Sequence, residues 1–170
     1  YYSFKRCAKP VMASIHPAEE GLQISVSNNA LVNKHIQLRL MLLGEDGSVR
    51  TVETVETDAA ANQAFAAMVS PVVPKGREVL LCDISGDDVH DRAFYQSGAL
   101  DLVPCVVEVI EITADSITLC ADAYVHAVEL EGEAVFDDNY FSLLPGERRT
   151  VAYRPCGTAP ITVQGYTLSD

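Results

Sequence analysis

Most of this chain alternates hydrophobic and polar residues with a period of two, the pattern of strands that bury one face. In GLQISVSNN, the apolar residues Leu22, Ile24 and Val26 alternate with polar ones. HIQLRLMLL repeats the pattern and runs into Asp46-Gly47, which is a strong hairpin signal. SVRTVETVET then predicts the returning strand, and EVLLCDIS predicts a more deeply buried one. The first half of the chain is therefore predicted to be antiparallel β structure.

The same pattern starts again after SGALDLVP, residues 97–104, where Ser-Gly and Pro bracket a short connector. CVVEVIEI, SITLCADAYVHAVEL, AVF, TVAYR and ITVQGYTL each read as one strand, separated by turn signals. Short strands with frequent turns predict an all-β fold of two consecutive antiparallel immunoglobulin-like β-sandwiches. We place the first sandwich at residues 10–98, a linker at residues 99–104 and the second sandwich at residues 105–170.

Two stretches depart from the period of two. In residues 1–9, YYSFKRCAK, Tyr1, Phe4 and Ala8 have helical spacing before Pro10, which predicts the end of a helix. So short a helical stub is not stable alone and needs a surface to pack against. The Ala-rich residues 58–70 fit either a short helix or a connection followed by a strand, and the all-β setting favours the strand.

Charge and hydropathy restrict the partners. The net charge is −12 and the isoelectric point is near 4.6, so binding to nucleic acid or to an anionic membrane is not expected. No apolar run is long enough to cross a membrane. The first residues lack the apolar core of a signal peptide, and the chain does not begin with Met. We therefore expect a processed product or a piece of a longer protein.

Five cysteines are present, and no two of them have the close spacing of a zinc site. Cys82 and Cys120 lie within apolar runs and are predicted to be small buried hydrophobic residues. This usage slightly favours a reducing, cytoplasmic compartment over the periplasm.

The stretch FDDNYFSLLPGERRTV, residues 136–151, crowds carboxylates beside aromatic rings. Neighbouring carboxylates at one strand end point in opposite directions, so they cannot form a glycosidase pair between them. The stretch also lacks the ligand spacing of an EF-hand calcium loop. The remaining interpretation is a turn, in which Asp138 and Asn139 accept local backbone hydrogen bonds.

The same stretch predicts which side chains point inward. Strand alternation directs Phe141 and Leu143 to the core and Tyr140 outward. Pro145-Gly146 fits the central positions of a type II turn, because Pro fixes φ and Gly accepts a positive φ.

The other candidate chemistry is sparse. His90 stands beside Asp87, Asp88 and Asp91, which is the sole cluster of histidine and carboxylates in the sequence, and a solvated loop is the expected interpretation. The chain contains no motif typical of a nucleophile, a phosphate loop or a zinc protease. We predict no catalytic residue, no cofactor and no metal in this chain.

The stretch from Asp138 to Glu147 resembles the C-terminal sandwich domain of glycoside hydrolase family 2 enzymes, particularly β-mannosidases. That domain carries a DN-aromatic-F-x-LLPGE run. The residues that match are Asp138, Asn139, Tyr140, Phe141, Leu143, Leu144, Pro145, Gly146 and Glu147. The opening YYSFKRCAKPV is similar to the end of the last helix of that family's catalytic (β/α)₈ barrel, and residues 24–29 resemble the Ig-like domain that follows.

The resemblance implies a function for the chain. The family's catalytic glutamates lie on the barrel, which would precede residue 1, so this chain is expected to be a non-catalytic accessory region of a glycosidase. Its expected partner is that barrel, and exposed aromatic residues in residues 1–9 suggest a weak homodimer. The alternative is a carbohydrate-binding module with Tyr140, Tyr124 or Tyr153 as its platform, although the absence of Trp argues against it.

Overall fold

The computed structural model describes Tyr2 and residues 8–86, 88–98 and 101–169. The chain divides into two units: Phe4–Ala99 form the first unit, and Leu100–Asp170 with Tyr1–Ser3 form the second. The regular elements of the described residues are antiparallel strands, which confirms the predicted all-β fold class. The helical stub predicted at residues 1–9 is not seen, and Tyr1 and residues 3–7 lie outside the described residues.

The first unit has seven strands in two sheets. They are β1 (Val11–Ala18), β2 (Gly21–Asn28), β3 (Lys34–Leu43), β4 (Val49–Ala59), β5 (Gln63–Ser70), β6 (Val79–Ser85) and β7 (His90–Tyr95). One sheet has the order β1-β2-β5 and the other has the order β4-β3-β6-β7. The pairing of β2 with β5 and of β3 with β6 is the pairing of strands B with E and C with F in immunoglobulin-like sandwiches.

The alternating pattern forms the core of this unit. Leu22, Ile24 and Val26 of β2 are at most 2% exposed, while the polar residues between them are half-buried. They belong to one hydrophobic cluster with inward residues of β3 and β6, among them Ile36, Leu38, Leu40, Leu80, Cys82 and Ile84. The prediction that Cys82 is a small buried hydrophobic residue is confirmed.

The Ala-rich residues 58–70 form the end of β4, a tight turn and all of β5. Asn62 takes a φ of +53° in that turn. Phe65, Ala67 and Met68 of β5 pack against the first unit's core. The predicted strand is therefore confirmed, and packing against the core outweighs the helical propensity of alanine.

A buried carboxylate fixes the register of the second sheet of this unit. Asp83 of β6 lies directly opposite Arg92 of β7 and Arg39 of β3. Arg92 donates two hydrogen bonds to it, of 2.6 and 3.0 Å, and Arg39 donates a third of 3.1 Å. Burial by itself raises the pKa of Asp83, but the hydrogen bonds and charges of the two arginines outweigh it and hold the pKa below its ordinary value.

The second unit has eight strands, again in two sheets. They are β8 (Leu102–Cys105), β9 (Glu108–Ile112), β10 (Ser116–Cys120), β11 (Val125–Glu131), β12 (Ala134–Phe136), β13 (Phe141–Leu143), β14 (Arg148–Pro155) and β15 (Thr162–Leu168). One sheet has the order β12-β14-β10-β9 and the other has the order β13-β11-β15-β8. Its core includes Ile117, Leu119, Val128, Leu130, Phe136, Phe141, Leu143 and Val151.

The single long strand predicted for SITLCADAYVHAVEL is wrong. The segment forms β10 and β11, which lie in different sheets, and residues 121–124 cross between them. The carbonyl of Ala121 accepts a hydrogen bond of 2.8 Å from Gly146 N, so it bonds a turn instead of a neighbouring strand. Cys120 is half-buried, contrary to the prediction, because Leu119 beside it points into the core and alternation turns Cys120 outward.

The edge strand β9 is exposed on both faces. In the described part of the chain it pairs with β10 alone, and all five of its residues are exposed. Val109, Ile110 and Ile112 are 39–53% exposed. Glu108 and Glu111 supply the charges of this otherwise apolar strand.

Candidate functional site: the Asp138–Glu147 segment and its tyrosines

Asn139 is the most deeply buried polar residue of the Asp138–Glu147 segment, with 3% of its surface exposed. Its Oδ1 accepts hydrogen bonds from Leu130 N at 2.7 Å and from Tyr140 N at 3.0 Å. Its Nδ2 donates to Leu130 O at 2.7 Å. The side-chain amide thus takes the place of a strand residue beside β11, where the pairing with β13 ends at Val128 and Phe141.

Asp138 is held by a cation. Arg149 Nη2 of β14 donates to Asp138 Oδ2 at 2.6 Å, and Asp138 Oδ1 accepts from Asn139 N at 2.9 Å. The guanidinium carbon of Arg149 also lies 4.2 Å from the centre of the Phe141 ring. Arg149 therefore joins the start of the segment to its buried aromatic residue by an ion pair and a cation–π contact.

The segment ends in a tight turn from Leu144 to Glu147. Glu147 N donates to Leu144 O at 3.0 Å, and Gly146 has a φ of +73°, as the third residue of a type II turn requires. Glu147 Oε2 accepts from Leu144 N at 2.8 Å. The carboxylate of Glu147 thus closes the turn.

Tyr140 carries the exposed aromatic ring of the segment. Its φ is +59°, unusual for a residue with a side chain, and 45% of its surface is exposed. Its hydroxyl donates to Glu129 Oε1 at 2.7 Å, and the hydroxyl of Tyr166 donates to Glu129 Oε2 at 3.0 Å. The ring of Tyr2 contacts Tyr140 edge-on, with centroids 6.3 Å apart.

The hydroxyls of Tyr140 and Tyr166 lie in a negatively charged environment. The hydrogen bond to Glu129 raises the pKa of Tyr140 and of Tyr166 above the ordinary value, and the charge of Glu131 adds to both shifts. The pair therefore stays protonated at neutral pH. The site therefore presents the rings of Tyr140 and Tyr166 next to Glu129, whose carboxylate already accepts hydrogen bonds from both hydroxyls.

Tyr140, Tyr124 and Tyr153, the alternatives predicted for a sugar platform, differ in exposure. Tyr124 is 4% exposed, and its hydroxyl is hydrogen-bonded with His126 Nδ1 at 3.1 Å. Tyr153 is half-buried against Phe136 and donates to Thr113 O at 2.6 Å. The prediction is therefore wrong for Tyr124, because it lies at the crossing between sheets and points into the unit.

The described carboxylates of the predicted histidine and carboxylate cluster pair with lysine side chains and a backbone amide. Asp91 Oδ1 accepts from Lys9 at 2.9 Å and its Oδ2 accepts from Ala13 N at 3.1 Å, while Asp88 pairs with Lys34 at 2.7 Å. Asp87 lies outside the described residues. Within the described ranges, no three His, Cys, Asp or Glu side chains group closely enough to hold a metal ion.

Sequence reasoning missed three residues of this site: Glu129, Arg149 and Tyr166. Glu129 stands at an outward position between the inward Val128 and Leu130, a signal that alternation contains. The partners of Arg149 and Tyr166 are distant in sequence, so no local pattern reveals them.

Residues 104–168 match the family model Ig_mannosidase, an Ig-fold domain. Over these residues the second unit is similar to a mannosidase-type Ig-fold domain. Its match includes the whole Asp138–Glu147 segment and confirms, for these residues, the resemblance found in the sequence. No curated protein sequence matches the chain.

Solved structures share the fold over almost the whole chain. A β-D-mannosidase from Dictyoglomus thermophilum is similar over 97% of this chain, with a TM-score of 0.78 and 17% identity. The exo-chitosanase CsxA of Amycolatopsis orientalis is similar over 99%, with a TM-score of 0.66 and 13% identity. The present chain covers 22% and 28% of those two chains, about a quarter of their length.

In the described residues, no helix has the length and hydropathy that a membrane crossing requires.

Proposed function

We propose that this chain is the non-catalytic accessory C-terminal region of a family 2 glycoside hydrolase of the β-mannosidase type. In this proposal it packs on the catalytic (β/α)₈ barrel of the parent chain and supports it. The observation that carries the proposal is the Ig_mannosidase match at residues 104–168. The similarity of 97% of the chain to part of a β-D-mannosidase supports it further.

The residues of the Asp138–Glu147 segment support a structural role. Asp138 pairs with Arg149, and Glu147 closes its own turn. Glu129 accepts from two tyrosine hydroxyls. A glycosidase needs one carboxyl group as an acid and a second as a nucleophile or base across the scissile bond. These three carboxylates instead bind groups of the fold.

The first test uses the purified chain with aryl β-mannoside, β-galactoside and β-glucuronide. We expect no release of the aryl alcohol above the buffer blank. Turnover that increases with protein concentration and survives a second purification would show that the chain is itself an enzyme.

The second test reads the coding sequence upstream of Tyr1 and assays the complete polypeptide. We expect an in-frame (β/α)₈ barrel domain, and hydrolysis of aryl β-mannoside faster than that of aryl β-glucosaminide. The second substrate is included because CsxA is described as an exo-β-D-glucosaminidase. An upstream sequence without a barrel contradicts the accessory role, whereas a preference for β-glucosaminide contradicts the mannosidase type alone.

A second candidate, a carbohydrate-binding module, has one observation in its favour. The exposed ring of Tyr140 stands beside Tyr166 and Glu129 on one outer surface, and aromatic rings with nearby polar groups are common in sugar sites. Titration calorimetry with manno-oligosaccharides tests it, with Tyr140→Phe and Tyr140→Gly as variants. Saturable heat that Tyr140→Phe retains and Tyr140→Gly loses would support this candidate.

A further inference from the structure

A five-residue loop in the first unit presents two apolar side chains to solvent. We call residues 29–33, the loop between β2 and β3, the docking loop. Leu31 is 90% exposed and Val32 is 56% exposed. Adjoining exposed apolar side chains, unlike apolar residues scattered singly over a surface, are candidates for an interaction surface.

The buried side chain of Asn28 holds the backbone of the docking loop in place. Asn28 has no exposed surface. Its Nδ2 donates to Val32 O at 3.0 Å and to Ala59 O at 2.9 Å, and its Oδ1 accepts from Ala30 N at 2.9 Å. Three of the four hydrogen bonds that the amide can make thus tie the two ends of the loop to the end of β4.

Two hydrogen bonds from the turn between β4 and β5 also hold the docking loop. Asn62 N donates to Ala30 O at 3.0 Å, and Asn33 Oδ1 accepts from Ala61 N at 2.9 Å. These contacts hold the backbone of a loop whose two largest apolar side chains contribute little to the core of their own unit. A loop fixed in advance loses little conformational freedom when it binds, which favours docking.

The loop also borders a cavity of about 330 Å³ at the point where the chain enters the unit. Asn29 N donates to Pro10 O at 2.7 Å. Lys9, Pro10 and Val11 line the cavity together with Ala30 and Val32 of the loop. Lys9 and Pro10, where the described chain enters the first unit, therefore lie beside Ala30 and Val32 of the loop.

From this placement we propose that the docking loop inserts Leu31 and Val32 into the surface of the preceding catalytic barrel. The inference rests on the proposed function, because the barrel is its occupant. The chain covers only about a quarter of the structures it resembles, which leaves room for a large domain outside it. The loop fixes how the barrel meets the first unit, and Asn28 is a positioning residue for that contact.

The test compares the isolated chain with the complete parent polypeptide by carbene footprinting. We expect labelling of Leu31 and Val32 to fall at least threefold in the parent. Val73, which is 49% exposed in the same unit, is the internal control and should keep its labelling. Equal labelling of the docking loop in both proteins would overturn the proposal while leaving the accessory role intact.

A matched pair of substitutions gives an independent measurement. Leu31→Asp should leave the melting temperature of the isolated chain unchanged, because the side chain is exposed, and should lower that of the parent by roughly 3 °C or more. Val73→Asp should change neither. If Leu31→Asp has no more effect than Val73→Asp in the parent, the barrel contact is refuted.

Two further outcomes separate other occupants. Protection of Leu31 in the isolated chain that increases with protein concentration would assign the loop to a second copy and refute the barrel contact. An upstream coding sequence without a barrel would refute the docking inference together with the accessory role.

Discussion

Asn139→Ala is the substitution that most directly tests how the second unit is built. In the native structure the amide serves Leu130 N and Leu130 O, both at 2.7 Å, and Asn139 is 3% exposed. Alanine lacks the side-chain amide, so Leu130 N and Leu130 O each lose this hydrogen-bond partner. Each buried backbone group left without a hydrogen bond costs roughly 1–3 kcal/mol.

The expected loss of unfolding free energy is therefore about 2–5 kcal/mol, because two such groups are affected and water can reach part of the space that alanine vacates. For a unit of this size, that loss lowers the melting temperature by roughly 10 °C or more. The assay is urea denaturation of the purified variant, followed by circular dichroism. Asp122→Ala, at an exposed position of the same unit, is the control and should change stability by less than about 0.5 kcal/mol.

Asn139→Asp adds a pH signature that a general packing defect lacks. The carboxylate keeps an acceptor for Leu130 N but faces Leu130 O without a proton to donate. Burial and this carbonyl should raise its folded-state pKa above the unfolded value, so the stability deficit of the variant relative to the native protein should be smallest below about pH 4 and grow as the pH rises toward 7. If Asn139→Ala matches the Asp122→Ala control, and Asn139→Asp shows no such trend, the strand-replacing role of Asn139 is refuted.

Gly146→Val should destabilise the second unit by roughly 1–3 kcal/mol, because φ is +73° there. A Cβ at this position meets no atom within 4 Å, so the loss would come from the backbone and not from a clash. Gly98→Val, equally open but without a positive φ, should cost less than half as much in the same denaturation assay. Burial raises the pKa of the Cys82 thiol to about 12, so iodoacetamide should label exposed Cys156 quickly and Cys82 only when the first unit unfolds, as peptide mass spectrometry would show. Because the arginines hold the pKa of Asp83 low, its stabilising contribution is present above about pH 4 and is lost as the pH falls through the folded-state pKa. Hydrogen-exchange protection factors in β6 and β7, corrected for the intrinsic pH dependence of exchange, should fall there, and less steeply in Asp83→Asn. Deleting residues 1–8 should weaken any homodimer detected by sedimentation, and an unchanged dimer constant would exclude that segment as the contact.

The sequence predicts the strands better than it predicts their sheets. Alternation located β2 and β3 because one face of each is buried. The same alternation runs through β10 and β11 without showing that residues 121–124 cross between sheets. That crossing depends on the hydrogen bond from Gly146 N to Ala121 O, which joins residues 25 positions apart. A pattern of local periods contains no information on such a contact.

Part of the candidate site is likewise predictable from local sequence, and part depends on tertiary contacts. Pro145-Gly146 specifies its turn within four residues, so composition alone predicts it. The positive φ of Tyr140 is not predictable from its own side chain. It arises because Tyr140 N donates to Val128 O at 2.6 Å, a contact that exists only once β11 is in place. Local chemistry thus predicts the turn, while tertiary packing determines which ring it displays.

The open edge of β9 has a consequence for anyone who concentrates this protein. Two molecules that meet along this strand can continue one sheet into the next, and the side chains of Val109, Ile110 and Ile112 favour that contact on both faces. At neutral pH, Glu108 and Glu111 place like charges on the strand while the net charge of −12 keeps molecules apart. Both protections weaken together as the solution approaches the isoelectric point of 4.6. Acidic elution, or crystallisation near that pH, therefore invites fibrous precipitates, and mildly alkaline storage preserves the dispersed protein.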